Sequence, residues 1–515
     1  MQKYIFVTGG AVSDYAKTTV ASSIGLLLSA RGFGVEFKKL NPCLNIDLGS
    51  LNPALCGESF VTADGGETDS SFGFYERFTG IKQSKYSCMT AGNIYWSVIN
   101  KERMGSFMGD RATVSSHVAD EVKKFVFSAT SGDVVIVELG GTVGDVESIH
   151  FLDAIGKVKE DVADENIMYL HVENIPHHVE TEEEKLVPIG RSISSLLERG
   201  IKPDAIICRT EESMQDSLKD KVSIFTNVDK AAVIESPRTD IIYETPFILD
   251  KSGLWTAIMK KLSLQDFKLK LDSWKDVISK MKKAEKEIRI ALVGKYTSLR
   301  SAYQSVKEAL DCAGAVNDVK VLVDWIEASS VTEKNVEELL KGANGIILPD
   351  GKGRKDVQGM ILAAKFAREN DIPFLAIGQG MHMAVVEVAS SVLGLKDAHS
   401  TEAWASPYPV VTEADGYVGE KKIKILRRTK SFSAYGRELF SERCRHKYIV
   451  SDAYREKLEE AGMYFVGKSA DDEKCEIVEM LEKRFYVGVQ FNPEFSSYPS
   501  KVHPLFEEFI REARK

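Results

Sequence analysis

Short β-branched runs alternate with helix-permissive stretches through the first half of the chain. Tyr4-Ile5-Phe6-Val7-Thr8 is apolar without polar alternation, the pattern of a strand covered on both faces. A glycine-bearing turn follows, then a helical pattern through Val20-Ala21-Ser22-Ser23-Ile24-Gly25-Leu26-Leu27-Leu28. Val134-Val135-Ile136-Val137-Glu138-Leu139 and Ala205-Ile206-Ile207-Cys208 read as further buried strands. Apolar strands separated by helices predict a parallel sheet with helices on both sides. The texture changes over 262–286, where Ser279-Lys280-Met281-Lys282-Lys283-Ala284-Glu285-Lys286 is polar, lysine-rich and helix-permissive. This is the composition of a linker or a solvated helix. A second series of strands then begins at Ile288-Arg289-Ile290-Ala291-Leu292-Val293-Gly294. It continues through Gly345-Ile346-Ile347-Leu348-Pro349, Pro373-Phe374-Leu375-Ala376-Ile377 and Tyr486-Val487-Gly488-Val489-Gln490-Phe491. No short-period repeat is present, which argues against a solenoid. The pattern predicts two doubly wound α/β domains, 1–265 and 287–515, joined by a linker at 266–286.

Composition narrows the class. The 515 residues are 43% hydrophobic and 28% charged, which excludes collagen-like and largely disordered chains. No apolar run reaches the ~18 residues of a membrane span. The N-terminus enters a strand-like run without a long apolar signal segment, so a cytoplasmic location is expected. The net charge of −9 argues against a nucleic-acid partner. Seven scattered cysteines without a CxxC pair predict reduced thiols rather than a disulfide framework or a structural zinc site.

The first strand runs into Thr8-Gly9-Gly10-Ala11-Val12-Ser13-Asp14-Tyr15-Ala16-Lys17-Thr18-Thr19 and then a helix. Glycines that open backbone N–H groups to phosphate, a lysine, and a hydroxyl able to hold Mg²⁺ are the parts of a P-loop. On that reading Gly10, Ser13, Lys17 and Thr18 bind nucleotide. The spacing from Gly10 to Lys17 is long, Ala16 precedes the lysine, and Asp14 opposes phosphate. An ordinary strand–helix turn therefore stays open.

Longer stretches resemble the CTP synthase family. They are Tyr4 to Gly10; Lys39-Leu40-Asn41-Pro42; Leu44-Asn45-Ile46-Asp47; Asn52-Pro53; Gly57-Glu58-Ser59-Phe60-Val61-Thr62; Asp64-Gly65-Gly66-Glu67-Thr68-Asp69; and Tyr75-Glu76-Arg77-Phe78. Val137 to Ser148, Val293-Gly294-Lys295-Tyr296, Ala302-Tyr303-Gln304-Ser305-Val306 and Phe491-Asn492-Pro493-Glu494-Phe495 continue the similarity across nearly the whole chain. The resemblance implies a P-loop-like amidoligase domain that uses ATP and Mg²⁺ to phosphorylate UTP, which ammonia then converts to CTP. It also implies a flavodoxin-like, type 1 glutaminase domain that supplies ammonia through a Cys-His-Glu triad. Homotetramers and filaments are implied as well. By position, Lys17 and Lys39 match phosphate-contacting lysines, Glu138 a magnesium ligand, and Asp145, Glu147 and Lys221 substrate contacts. Gly351, Glu402 and Arg445 match the glutamine site.

The departures from the family pattern fall on the chemistry. Gly378 stands at the nucleophilic cysteine, and glycine has nothing with which to form a thioester. Asn492 stands at the histidine and cannot cycle a proton near neutral pH, so Glu494 is the residual triad member. Asp350 and Asp356 enter the oxyanion loop, where negative charge must develop. Ser71 replaces a magnesium carboxylate and is a weaker ligand for a hard dication. The segment Leu186-Val187-Pro188-Ile189-Gly190-Arg191-Ser192 replaces the polar residues of the uridine nucleotide site. Rescue by Cys444 is disfavoured because the elbow geometry is specific. The departures predict a glutaminase-dead, synthetase-impaired pseudoenzyme in which ATP and Mg²⁺ bind weakly if at all. Such a chain would act as scaffold or regulator, as a homo-oligomer or with an active paralogue. The alternatives are an active, ammonia-dependent CTP synthase, or a changed substrate whose anion Arg111 and Arg191 would read.

Overall fold

A computed structural model describes residues 2–10, 14–129, 132–178, 183–184, 186–403, 405, 407–471 and 473–515. The chain divides into two units, Met1–Asp47 with Phe74–Asp272, and Leu48–Gly73 with Ser273–Lys515.

The first unit is built on seven strands. They are β1 (Lys3–Gly9), β2 (Val35–Asn41), β3 (Cys88–Thr90), β4 (Val134–Leu139), β5 (Ile167–Asn174), β6 (Ala205–Thr210) and β7 (Val233–Pro237). Their order is β7-β6-β5-β1-β4-β2-β3, and all pairings are parallel. β1 lies centrally, with Ile5 opposite Ile136 on one side and Met168 on the other. All six residues of β4 are buried, so Glu138 is carried on an otherwise apolar strand. α1 (Asp14–Ser29) follows β1 and includes the predicted helical stretch.

The second unit carries a ten-stranded sheet. Its strands are β8 (Lys286–Gly294), β9 (Val319–Glu327), β10 (Gly345–Leu348), β11 (Phe374–Ile377), β12 (Ala398–Ser400), β13 (Tyr408–Ile425), β14 (Leu439–Val450), β15 (Tyr464–Ser469), β16 (Cys475–Glu479) and β17 (Tyr486–Val489). The order is β9-β8-β10-β11-β17-β16-β15-β13-β12, and β14 pairs with β13. The section from β9 to β17 is parallel; β13 to β17 are joined by antiparallel pairings. Alternate residues of β8 serve opposite cores. Ile288, Ile290 and Leu292 pack in one cluster, and Ala291 and Val293 in the other. A strand buried on both faces needs this continuous apolar run. Helices α2 (Asp272–Lys283), α3 (Gln304–Val316), α4 (Val357–Glu369), α5 (Gln379–Ser391) and α6 (Pro504–Ala513) belong to this unit or lead into it. α2 occupies the lysine-rich stretch. It buries Trp274 and Ile278 and places Lys280, Lys282 and Lys283 in its last turn, where the helix dipole favours cations.

The segment 48–73 joins the second unit through specific contacts. The Glu58 carboxylate accepts from the Ser305 backbone N–H at 2.9 Å and from its hydroxyl at 2.5 Å. Arg443 donates to the Val61 carbonyl at 3.1 Å, and Phe60 meets Phe495 edge-on at 4.9 Å. Among the described residues, no helix is long and apolar enough to cross a membrane.

Candidate functional site

In the second unit, β11 ends at Ile377 and the chain turns at Gly378 into α5. Gly378 has φ 54° and ψ −116°, a conformation that disfavours side chains. The space a side chain would use is taken. A Cβ built on Gly378 would lie 2.3 Å from Asp350 Oδ1 and 2.6 Å from its Cγ. The same oxygen accepts the Gln379 N–H at 2.9 Å, the first amide of α5. An amide at this helix end is the kind of donor that stabilises an oxyanion after nucleophilic attack. Here a resident carboxylate holds it.

Around this turn several of the remaining side chains pair with one another, although the buried Gln379 Oε1 has no hydrogen-bond partner among the described residues. Glu402 accepts from the Gly353 N–H at 2.8 Å and from Gln379 Nε2 at 2.8 Å. Gly351 lies against Gln379 and the Lys295 stem: a Cβ there would be 3.0 Å from Gln379 Oε1 and 3.2 Å from Lys295 Cδ. The Lys295 ammonium donates to the carbonyls of Lys352 and Gly353. Burial pulls its pKa down to about 8, against the opposing pull of Glu402, Asp356 and Asp350. Arg445 pairs with Glu67 and donates to the Gly49 carbonyl at 2.6 Å.

Asn492 Nδ2 donates to Glu494 Oε1 at 2.9 Å. Burial pushes the Glu494 carboxyl up to about 8, with the Asn492 hydrogen bond opposing and the charges of Glu58 and Asp350 adding to the rise. It is therefore a neutral acid at pH 7, whereas a carboxylate that steadies an imidazolium must be charged. Glu494, Asn492, Asp350, Gly351, Arg445 and Glu58 line a pocket of about 50 Å³.

Cys444 is fully buried and packs in the apolar cluster with Val487 and Phe491. It alternates along β14 with Arg443 and Arg445, whose guanidinium groups reach the 48–73 segment. Strand alternation therefore turns the thiol to the other face.

In the first unit, Glu138 is surrounded. Its Oε1 takes the Lys39 ammonium and the Thr18 hydroxyl, the latter at 2.9 Å, and its Oε2 takes the Tyr75 hydroxyl at 2.6 Å. Lys17 is buried and donates to the Gly141 carbonyl. Glu138, Thr18 and Lys39 are thus brought together. A magnesium ion at Glu138 Oε1 would compete with the Lys39 ammonium and the Thr18 hydroxyl, whereas Oε2 carries only the Tyr75 hydroxyl among the described residues. Ser71 is counted with the second unit; its N–H donates to Asp69 Oδ1 at 2.9 Å.

Gly10 holds a feature that sequence reasoning missed. A Cβ on it would lie 1.9 Å from Glu173 Oε2, so the Glu173 carboxylate sits directly against the loop glycine. Glu173 is fully buried at the end of β5 and meets His171 Nε2 at 3.2 Å. His171 in turn meets the Thr8 hydroxyl at 3.0 Å. The available signal was a charged residue inside an otherwise apolar strand run. Asp145, Glu147 and Lys221 are exposed; Asp145 is the N-cap of the short helical turn Val146–Ser148 and Glu147 lies within it. Ser13 lies outside the described residues. The stretch 187–192 opens the helix Val187–Glu198, with Ile189 and Ser192 buried and Val187 and Arg191 exposed.

Comparison with known proteins gives a consistent picture. Residues 3–264 match the family model described as CTP synthase N-terminus, and residues 299–512 match that of class-I glutamine amidotransferase. The CTP synthase of Clostridium kluyveri is 42% identical over 524 residues, covering 99% of this chain and 98% of the relative. That of Bacillus velezensis is 43% identical over 525 residues with the same coverage. That of Methanocaldococcus jannaschii is 42% identical over 530 residues, again covering 99% and 98%. Among solved structures, the glutaminase domain of Trypanosoma brucei CTPS with bound acivicin is 30% identical. It covers 44% of this chain and 94% of that one, with a TM-score of 0.43.

Proposed function

Since this chain belongs to the CTP synthase family, we propose that it is a member without glutaminase activity and with an impaired synthetase site. Its role is that of a scaffold or regulator. The observation that carries the proposal is the turn at Gly378. The position has no nucleophile, and the Asp350 carboxylate holds both the space beside it and the first amide of α5. Asn492 cannot act as a base, and the neutral Glu494 has no imidazole to orient.

The synthetase half is weakened by different means. A buried carboxylate at Gly10 repels phosphate, and Glu138 already accepts from Lys39, Thr18 and Tyr75. Apolar residues replace hydrogen-bonding ones over 186–192, and each lost charge-assisted contact costs on the order of 1.5–3 kcal/mol. ATP and Mg²⁺ bind weakly on this reading. Lys17, Lys39, Asp145, Glu147 and Lys221 are the remaining candidates for nucleotide contact. The working form is a homo-oligomer, a tetramer or filament, or a mixed assembly with an active paralogue in the cytoplasm.

A second reading, an ammonia-dependent CTP synthase, is favoured by the retention of Lys17, Lys39 and Thr18 at the head of α1 and on β2. One experiment separates the two. Purified protein is incubated with UTP, ATP, Mg²⁺ and either ammonium or glutamine, and CTP and glutamate are followed by chromatography. No CTP from either nitrogen source and no glutamate, from a folded protein, is the expected result. CTP from ammonium alone would establish the second reading. Glutamate release would overturn the argument from Gly378.

A further inference from the structure

We infer that Cys444, His446 and Glu476 form a binding site for a zinc-type divalent metal ion within the second unit. The thiol sulfur, an imidazole nitrogen and a carboxylate oxygen all lie within 4.8 Å of one another. Cys444 and His446 are two residues apart on β14, so both side chains leave the same face of the strand. Glu476 comes from β16. The cluster is therefore a product of tertiary structure, and no spacing motif announces it.

The donor set has the right chemistry. Sulfur, imidazole and carboxylate are the ligand types zinc takes, at about 2.0–2.3 Å from the metal. Ligand atoms around a tetrahedral ion at those bond lengths stand roughly 3.3–3.6 Å apart. Separations of up to 4.8 Å need contractions of at most about 1.5 Å, within reach of side-chain rotation. The fourth position falls to water.

Burial argues against a nucleophilic role for the same thiol. Cys444 and Glu476 are fully buried and His446 is 9% exposed. Burial pushes the Cys444 thiol well above its ordinary pKa, with the Glu476 charge adding to the rise. Such a thiol stays protonated and unreactive until a cation is bound. On metal binding one metal–sulfur bond forms, one S–H bond breaks, and the proton leaves to solvent. Thiolate, carboxylate and a 2+ ion then sum to zero charge, and the displaced Lys421 ammonium leaves one positive charge beside the buried site.

The structure also names the competitor. The Lys421 ammonium stands 3.2 Å from Glu476 Oε1 and 5.4 Å from the centre of the Tyr417 ring. A metal ion takes Glu476 from Lys421, so Lys421 sets the affinity of the site.

The test uses the full chain after treatment with a chelator. Co²⁺ is titrated in, and thiolate-to-cobalt charge transfer in the near ultraviolet is followed together with the visible d–d bands. The expected result is saturation at one equivalent, with the bands removed by Zn²⁺. Cys444→Ser abolishes the charge-transfer band and His446→Ala weakens binding. Lys421→Met tightens it by about tenfold, the scale of outer-sphere effects on metal sites. Cys56→Ser, at an exposed thiol, leaves the titration unchanged. Absence of the band in the parent protein, its survival in Cys444→Ser, or unchanged affinity in Lys421→Met would overturn the assignment. If Cys444→Ser does not fold by circular dichroism, His446→Ala and Lys421→Met decide the question on the same spectra.

Discussion

Restoring a cysteine at position 378 should fail, and the amount by which it destabilises the protein follows from the structure. The new Cβ would sit 2.3 Å from Asp350 Oδ1, so the carboxylate must move. Moving it breaks the charge-assisted bond to the Gln379 amide, at a cost of about 1.5–3 kcal/mol. A side chain at φ 54° and ψ −116° adds strain of about 1–3 kcal/mol. Gly378→Cys should therefore cost about 2.5–6 kcal/mol, the sum of those two ranges. In an Asp350→Ala background the clash is gone and only the strain remains. The two substitutions should then couple, their combined cost falling short of additivity by about 1.5–3 kcal/mol. The assay is urea unfolding of the parent, the two single variants and the double variant, read as midpoint times slope. Additivity within about 0.5 kcal/mol would refute the reasoning, because it would mean that a side chain at 378 does not meet Asp350. Glutamate release gives the functional readout. Gly378→Cys alone should release none, since Asn492 supplies no base. Release should begin only when Gly378→Cys, Asp350→Ala and Asn492→His are combined, and release by the single variant would refute the same account.

Two further outcomes follow. The Glu494 carboxyl titrates near 8 when folded and in the ordinary carboxylate range when unfolded, so the folded state binds the extra proton. Its contribution is full below the unfolded pKa and is lost as pH rises through 8; at pH 7 Glu494→Gln should be more stable than the parent by about 3 kcal/mol, at about 1.4 kcal/mol per pH unit. Denaturant midpoints from pH 5 to 8.5 check this, and a parent-minus-variant difference that stays flat with pH would refute it. Replacing the buried carboxylate beside Gly10, Glu173→Gln, should raise affinity for MgATP by about tenfold, or about 1.4 kcal/mol, in equilibrium dialysis. Unchanged affinity would mean that Glu173 does not oppose phosphate.

Strands apolar on both faces were legible in both sheets, but the half-exposed antiparallel strands β13 and β14 of the second sheet, with β15 and β16, were not. Tyr4 to Thr8, Val134 to Leu139 and Ile288 to Gly294 can be nothing but covered strands once helical stretches separate them. The turn after β1, proposed to bind phosphate, was only half legible. Its glycines, lysine and threonine lie within one short stretch, Gly9 to Thr18, but the group that meets Gly10 comes from β5, and nothing near Gly10 in the chain predicts it. The zinc-type cluster was not legible at all, since β14 and β16 supply its donors from distant segments.

Sequence alone determined what is missing. A glycine at 378 has no thiol and an asparagine at 492 has no imidazole, whatever surrounds them, because a side chain's chemical capacity is a property of one residue. Tertiary structure decided what stands in the vacated places. Asp350 reaches the first amide of α5 from 29 residues earlier in the chain. Lys39, Thr18 and Tyr75 converge on Glu138 from separate elements. Segment 48–73 packs with the second unit through Glu58 and Ser305, 247 residues apart. Local periodicity records which face of an element is buried. Which charge lies against which depends on how distant elements pack, and that is set by the whole fold.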